Sequence, residues 1–247
     1  MRKEVILGPI AACILWYVAT ELGLLDPLFL PSPIDTVKSL CSLAATGVIV
    51  TDIIGTLARL AIGFSIGGCV GIVLGLPTGY FNKLYSSLEI LIDFFRSVPV
   101  ASLFPLFLVF FGIGNPSKVA TAAWASFFIV LVNTTYGVRN CKETRLLVAK
   151  GMKASKTQVF TKFILPDSLP QIVAGLRTAL SIALIVVVVT EMFMRTKAGL
   201  GKRIYDASLT YETAELYASI LVTGLLGYGL NKLFVLFESR VVHWSGK

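Results

Sequence analysis

Charge is scarce in this chain. Of its 247 residues only 15% are Asp, Glu, Lys or Arg and 55% are hydrophobic, whereas about a quarter of a soluble domain is charged. Histidine is nearly absent. His243 stands alone near the C-terminus, so neither a His-based metal centre nor a Ser-His-Asp triad can be assembled. The four cysteines, Cys13, Cys41, Cys69 and Cys141, show no paired or metal-ligand spacing and read as small apolar fillers. There is no G-x4-G-K-[ST] phosphate loop; residues 198–203 (AGLGKR) hold a Gly-Lys pair but lack the glycine five residues before Gly201. No nucleophile is accompanied by a suitable general base. These absences exclude ATP hydrolysis by this chain and favour a conduit over an enzyme.

Long apolar runs are what the chain does have, and they mark a multi-pass membrane protein. The net charge of +8 would suggest nucleic acid in a soluble protein. Here the positive charge gathers in residues 139–167 (RNCKETRLLVAKGMKASKTQVFTKFILPD), with Arg139, Lys142, Arg145, Lys150, Lys153, Lys156 and Lys162 against Glu143 alone before Asp167. A short loop this basic between membrane spans belongs on the cytoplasmic side, so a bilayer surface and a cytoplasmic partner are expected and nucleic acid is not.

That loop carries helix signals. Ser155 and Gln158 form a capping box that opens a helix, and Val159, Phe160 and Phe163 follow at helical spacing. Gly151 is expected to end a preceding helix over 143–150, and Leu165-Pro166 to stop the second one. The result is a helix pair on the inner surface, with Met152, Val159, Phe160 and Phe163 offering apolar side chains to a docking partner.

Around it the runs divide into spans. The first covers 5–25, with Arg2 and Lys3 holding its start inside; it is too long for a signal-peptide core. FLPSP (29–33) ends it, and 34–45 has the one-sided pattern of an interfacial helix. The second span, 53–76, places Gly63, Gly67, Gly71, Gly75 and Gly79 at every fourth position, a bare ridge for close helix packing against a neighbour in this chain or in a second copy. Pro77-Thr78-Gly79 is expected to turn the chain.

The third span, 84–111, would be about 42 Å long if straight, with kinks at Pro99 and Pro105. Glu89, Asp93 and Arg96 line one of its faces. Charges at mid-membrane are costly, so they should pair and face protein or water; Arg96 is the first candidate for an anionic solute, or else the partner of Asp93. GIGNPSK (112–118) turns into a fourth span over 119–138 containing Asn133, Thr134 and Thr135. Pro170 starts the fifth, with Arg177 and Glu191 near opposite interfaces. The loop 195–217, holding Arg195, Lys197, Lys202 and Arg203, hints at an outer mouth that attracts anions. The sixth span, 216–237, leads to Arg240 and Lys247. Six spans with both termini inside satisfy the loop charges best. The candidate solute path comprises Arg59, Arg96, Ser97, Pro99, Asn133 and Glu191.

Residues 148–180 (VAKGMKASKTQVFTKFILPDSLPQIVAGLRTAL) resemble the cytoplasmic-loop signature of binding-protein-dependent ABC importer permeases. In detail they are similar to the nitrate, sulfonate, taurine and bicarbonate permeases. Supporting stretches are FLPSP (29–33), RSVPVASLFPLFLVFFGIGN (96–115), VVTEMFMRTKAGLGKRIYDA (189–207) and YASILVTGLLGYGLNKLFVLFESRVVHW (217–244). Aligned on the Leu-Pro, the family's usual loop glycine falls at Lys153 and its usual acidic residue at Leu147, while Ala149 matches.

The resemblance implies an all-α, MetI-like permease of type I with six membrane helices, residues 1–247 forming one domain in the bacterial inner membrane. It implies a homodimer of permeases, two cytoplasmic ABC ATPase subunits that hold ATP and Mg, and an external solute-binding protein; no cofactor or metal is expected on this chain. Ala149, Gly151, Met152, Lys153, Ala154, Ser155, Gln158, Val159, Phe160, Phe163, Leu165 and Pro166 would form the ATPase-coupling element. The rival readings are a stand-alone channel or secondary transporter for small anions, and an energy-coupling scaffold without a path of its own.

Overall fold

A computed structural model describes residues 4–141, 143–193 and 196–242. Arg2, Lys3, Lys142, Arg195, His243 and Lys247 lie outside them. Among the described residues there are helices and no strands. The chain divides into two compact units, 1–56 with 191–226, and 57–190 with 227–247.

The first unit begins with α1 (Glu4–Glu21) and α2 (Pro33–Ala45). Ser32 caps α2 by accepting the Asp35 amide, with proline in the first turn, where its missing N–H costs nothing. The FLPSP segment is tied down from outside: the Trp16 indole donates to the Pro31 carbonyl at 3.0 Å and the Tyr217 hydroxyl to Phe29 at 3.2 Å.

The second span is longer than its apolar run suggests. Helix α3 covers Val48–Tyr80, and Pro77 lies inside it, so Pro77-Thr78-Gly79 is the last turn of a helix and not the expected reversal. The reversal falls at Phe81, before α4 (Asn82–Ser97). The glycine ridge explains the extension. Five glycines bring the α3 backbone against α6 (Asn115–Arg139), and the approach is too close for any side chain: a Cβ on Gly67 would sit 2.1 Å from the Ala123 carbonyl, and one on Gly79 2.7 Å from that of Thr135. The neighbour of the ridge is therefore in the same chain. Thr135 adds a hydroxyl bond to the Gly75 carbonyl at 3.3 Å, as polar residues do between membrane helices.

The third span is broken rather than kinked. After α4 the backbone opens at Val98 and Pro99, makes a 3-10 turn over Val100–Leu103 and enters α5 (Phe104–Phe111) with an 89° bend. Proline forces the residue before it out of the helical region, and Val98 is extended at ψ 122. Pro105 causes no kink because it occupies the first turn of α5.

The elbow expected over 139–167 is present, but its second half does not stop. Helix α7 (Glu143–Gly151) is followed by α8 (Lys156–Val159), a π turn (Phe160–Ile164) and α9 (Leu165–Phe193). These last three form one helical path of 38 residues, Lys156–Phe193. Pro166 has no N–H to continue an ordinary ladder; the widened turn before it, where the Leu165 amide reaches back to the Phe160 carbonyl, lets the helix pass. Pro170 likewise sits inside α9 and does not begin it.

Two further helices complete the chain, α10 (Leu200–Thr210) and α11 (Thr213–Val241). Among the described residues four helices are long and apolar enough to cross a membrane, five if the bent pair is one span; α1 supplies a shorter apolar stretch over Leu7–Glu21.

Candidate functional site

Three places gather the polar residues of this apolar chain. The first is a cavity of about 380 Å³ at the α4–α5 break. Phe95 and Arg96 from the end of α4 line it, with Val98 and Val100 from the break, Trp124, Phe128 and Asn133 from α6, and Ile182 from α9. The rings pack on one another: Trp124 and Phe128 have centroids 5.0 Å apart, and Phe95 lies 5.6 Å from Trp124 and 5.7 Å from Phe128. Arg96 is the one charged residue in the lining. It pairs with Asp93 at 3.4 Å on an exposed face and opens also onto a second, polar cavity of about 300 Å³ with Glu89, Asp93, Tyr136 and Arg139. At 3.4 Å the pair is longer than a good N–H···O bond, so an incoming anion that meets the guanidinium in two parallel bonds competes with Asp93 for it.

Of the six residues expected on a solute path, Arg96 and Asn133 share this cavity. Asn133 is held there by the Gln171 amide at 2.9 Å and itself donates to the Ile129 carbonyl at 2.8 Å. Ser97 and Pro99 lie at the break, with the Ser97 hydroxyl bonded to the Asp93 carbonyl. Arg59 is elsewhere: it is buried, and its Nε donates to Asn115 at 2.8 Å, joining α3 to the start of α6.

Glu191 belongs to the second place, in the first unit. Helix α10 begins at Gly199, which has no side chain to cap it. Its leading amides are satisfied from a distance instead. The amide of Gly199 donates to Asp52 at 2.8 Å, that of Leu200 to the Thr56 hydroxyl at 3.0 Å, and that of Gly201 to Glu191 at 3.0 Å. Thr56 donates onward to Glu191 at 2.9 Å. A Cβ on Gly199 would lie 2.7 Å from the Glu191 carboxyl carbon, so only glycine admits this approach. Carboxylates also suit the positive end of a helix. Arg203 closes the cluster, reaching Asp52 at 2.9 Å and Glu215 at 3.2 Å. Burial disfavours its charge, yet the hydrogen bond and charge of Asp52, followed by those of Glu215, raise the guanidinium pKa overall. Lys202 pairs with Asp206. The expected anion-attracting outer mouth is therefore corrected at these two positions: Lys202 and Arg203 are neutralised within the chain.

The third place is the elbow. Ser155 and Gln158 make both bonds of the capping box, at 2.9 and 3.3 Å. Helix α7 ends in a Schellman turn, with the Ala154 amide on the Ala149 carbonyl at 3.1 Å and the left-handed residue between them. That residue is Lys153, at φ 50, and not Gly151. The apolar face also differs from the expected one. Val159 and Phe160 turn inward onto Val138, Cys141, Ile164, Leu76 and Tyr80, and Phe160 meets Tyr80 edge to face at 5.4 Å. Among the described side chains of the elbow, the apolar ones left exposed are Leu147, Val148 and Met152. Beside them a groove of about 340 Å³ is lined by Arg145, Val148, Lys162, Phe163 and Pro166. Arg145 pairs with Asp167 across the elbow. Burial, then the hydrogen bond to Asp167, pushes the Cys141 thiol up to about 11, so it stays protonated and unreactive at neutral pH.

The sequence pattern of the family described as binding-protein-dependent transport system inner membrane component matches residues 67–243. The chain belongs to this family. The match takes in the elbow, both cavities and α10. A Brucella abortus protein named as an ABC transporter permease is 31% identical over 93% of this chain and 90% of its own length. A Bacillus subtilis protein named as an aliphatic sulfonates transport permease is 29% identical over 97% and 86%. The Escherichia coli taurine transport system permease protein is 28% identical over 94% and 86%. Among solved structures, the inward-facing MetNI methionine ABC transporter superposes with a TM-score of 0.64 at 20% identity, covering 79% of this chain and 95% of that one, which establishes a MetI-like fold. The permease of an ABC transport system is a membrane component and not the catalytic subunit, in keeping with the missing phosphate loop.

Proposed function

We propose that this permease forms the translocation path for a small anionic solute of the nitrate, sulfonate, taurine or bicarbonate class, and that ATP hydrolysed in a partner drives it. The observation that carries the reading is the unbroken helical path from the capped elbow through the π turn into α9. A short helix fixed at both ends and continuous with a membrane span is a lever, because motion applied to it moves the span. The elbow, basic and bearing exposed Leu147, Val148 and Met152, is the surface on which an ABC ATPase would dock; Ala149 to Pro166 shape it, some by contact and some by folding the turn.

In this reading the whole of residues 1–247 acts as one permease domain with both termini cytoplasmic. Two copies assemble with two ATPase subunits, and an external solute-binding protein delivers the cargo. The chain itself binds no cofactor, ATP and Mg residing in the ATPase. Arg96, at the mouth of the ring-lined cavity, is the anion's first protein partner.

Reconstitution tests this. Proteoliposomes holding the permease, the ATPase subunits and the binding protein should accumulate solute only with ATP inside the ATPase compartment. Accumulation by the permease alone, driven by a gradient, would instead establish a stand-alone transporter.

A further inference from the structure

Resting on the reading of the chain as a solute-conducting permease, we infer that the cavity at the α4–α5 break is a resident binding site for an aromatic acid, a planar ring bearing one carboxylate or sulfonate. Of the solutes proposed above this keeps the sulfonates, sets aside bare oxyanions and the aminosulfonate taurine, and adds carboxylates of the same shape.

The lining decides it. Arg96 is its one charged side chain, with a planar fork of donors that suits a carboxylate or sulfonate in two parallel bonds. Its present partner, Asp93, reaches it only at 3.4 Å, longer than a good N–H···O bond, so an arriving acid group bound through two parallel bonds competes with it. Behind Arg96 the wall turns apolar. Phe95 and Trp124 meet at 83° and Phe128 packs on both. This corner presents a ring face and ring edges together, the arrangement in which a further aromatic ring packs well.

Asn133 has its carbonyl engaged by Gln171 and one of its two amide hydrogens by Ile129, which leaves a single N–H for a strongly hydrated ion. An inorganic oxyanion would give up its water against a wall that is otherwise hydrocarbon and recover only Arg96 and one Asn133 N–H. The volume of about 380 Å³ lies in the range of small-molecule sites, several times what such an ion fills. Charge at the mouth and rings behind it describe an amphiphile.

Trp124 reports on the site. The other indoles, Trp16 and Trp244, are replaced by phenylalanine, and the permease–ATPase complex is held in lipid nanodiscs. Benzoate, benzenesulfonate, nitrate, taurine and benzyl alcohol are titrated while Trp124 emission is followed. The two aromatic acids should perturb emission at concentrations at least tenfold below nitrate and taurine. Arg96→Gln should raise their half-saturation at least tenfold, with Arg96→Lys recovering part of it, and leave the weak response to benzyl alcohol unchanged. Equal responses to benzoate and nitrate, equal responses to benzoate and benzyl alcohol, or no response to any probe would each overturn the inference. ATP-driven uptake in proteoliposomes is measured alongside. If it persists, a negative titration removes this site alone; if uptake proves independent of the ATPase, the importer reading fails whatever Trp124 reports.

Discussion

The sharpest consequence of the packing is that one methyl group at Gly67 should unsettle the second unit. An alanine Cβ there would lie 2.1 Å from the Ala123 carbonyl oxygen, 2.8 Å from the Ser126 Cβ and 2.9 Å from the Phe127 amide. An ordinary carbon–oxygen contact is about 3.3 Å, so α3 and α6 must part by about 1 Å. Two of the three atoms met are backbone, and no rotamer change relieves them. A gap of that size forfeits about a quarter to a half of the dispersion energy along the facing surfaces, and the same helices rely on Gly63, Gly71, Gly75 and Gly79 for contacts of comparable tightness. Overpacking in a close-packed interior costs about 1–3 kcal/mol, and Gly67→Ala belongs at the upper end, near 3 kcal/mol. At about 2–4 °C per kcal/mol for a chain of this size, the unfolding midpoint in detergent should fall by roughly 6–12 °C. Gly229→Ala, where nothing lies within 4 Å, is the control and should leave the midpoint unchanged or slightly raised. Midpoints for the two variants within about 1 °C of each other would refute the reasoning.

At the start of α10, Glu191→Gln should lower stability by about 1–3 kcal/mol, because it removes the buried negative charge that faces the leading amides of α10 and turns one acceptor oxygen into a donor; thermal unfolding checks it, and a neutral result would show that the buried acceptor does not hold the helix. Lys153→Gly removes a side chain from a left-handed backbone at φ 50 and should stabilise the elbow by up to about 1 kcal/mol, measured as slower proteolysis at 139–167; faster cleavage would contradict the turn geometry. Met152→Asp and Ala154→Asp should leave the protein folded and in the membrane, yet lower ATP-driven uptake at least tenfold; unchanged uptake in both would remove the docking assignment. Phe160→Asp should instead destabilise the fold, since Phe160 faces Tyr80, and a folded, fully stable variant would contradict its inward placement.

Local patterns survived from sequence to structure where the chemistry was local. The four-residue glycine period names a helix face directly, and Ser155 with Gln158 names a cap; both are properties of neighbouring residues. The fate of the prolines was not legible, because it depends on what surrounds the freed carbonyls. Pro166 passes through a π turn and Pro77 through a helix end packed on α6, while Pro99 breaks its span outright. The inward turn of Val159 and Phe160 was hidden for the same reason: helical spacing gives a shared face but not which way it points. The anchoring of α10 was missed altogether. Its partners Asp52, Thr56 and Glu191 are far apart in the chain, and the only signals were Asp52 and Thr56 one turn apart on an apolar helix, and a helix start with glycine where a capping side chain belongs.

The central claim is that the elbow faces the cytoplasm and is covered by an ATPase. The most direct measurement is labelling of Met152→Cys, a position 70% exposed, by a membrane-impermeant maleimide in a background without the other cysteines. The account predicts labelling in inside-out vesicles only, and its suppression when the ATPase subunits are bound. Labelling from the outside of intact cells, or labelling that bound ATPase leaves untouched, would contradict it.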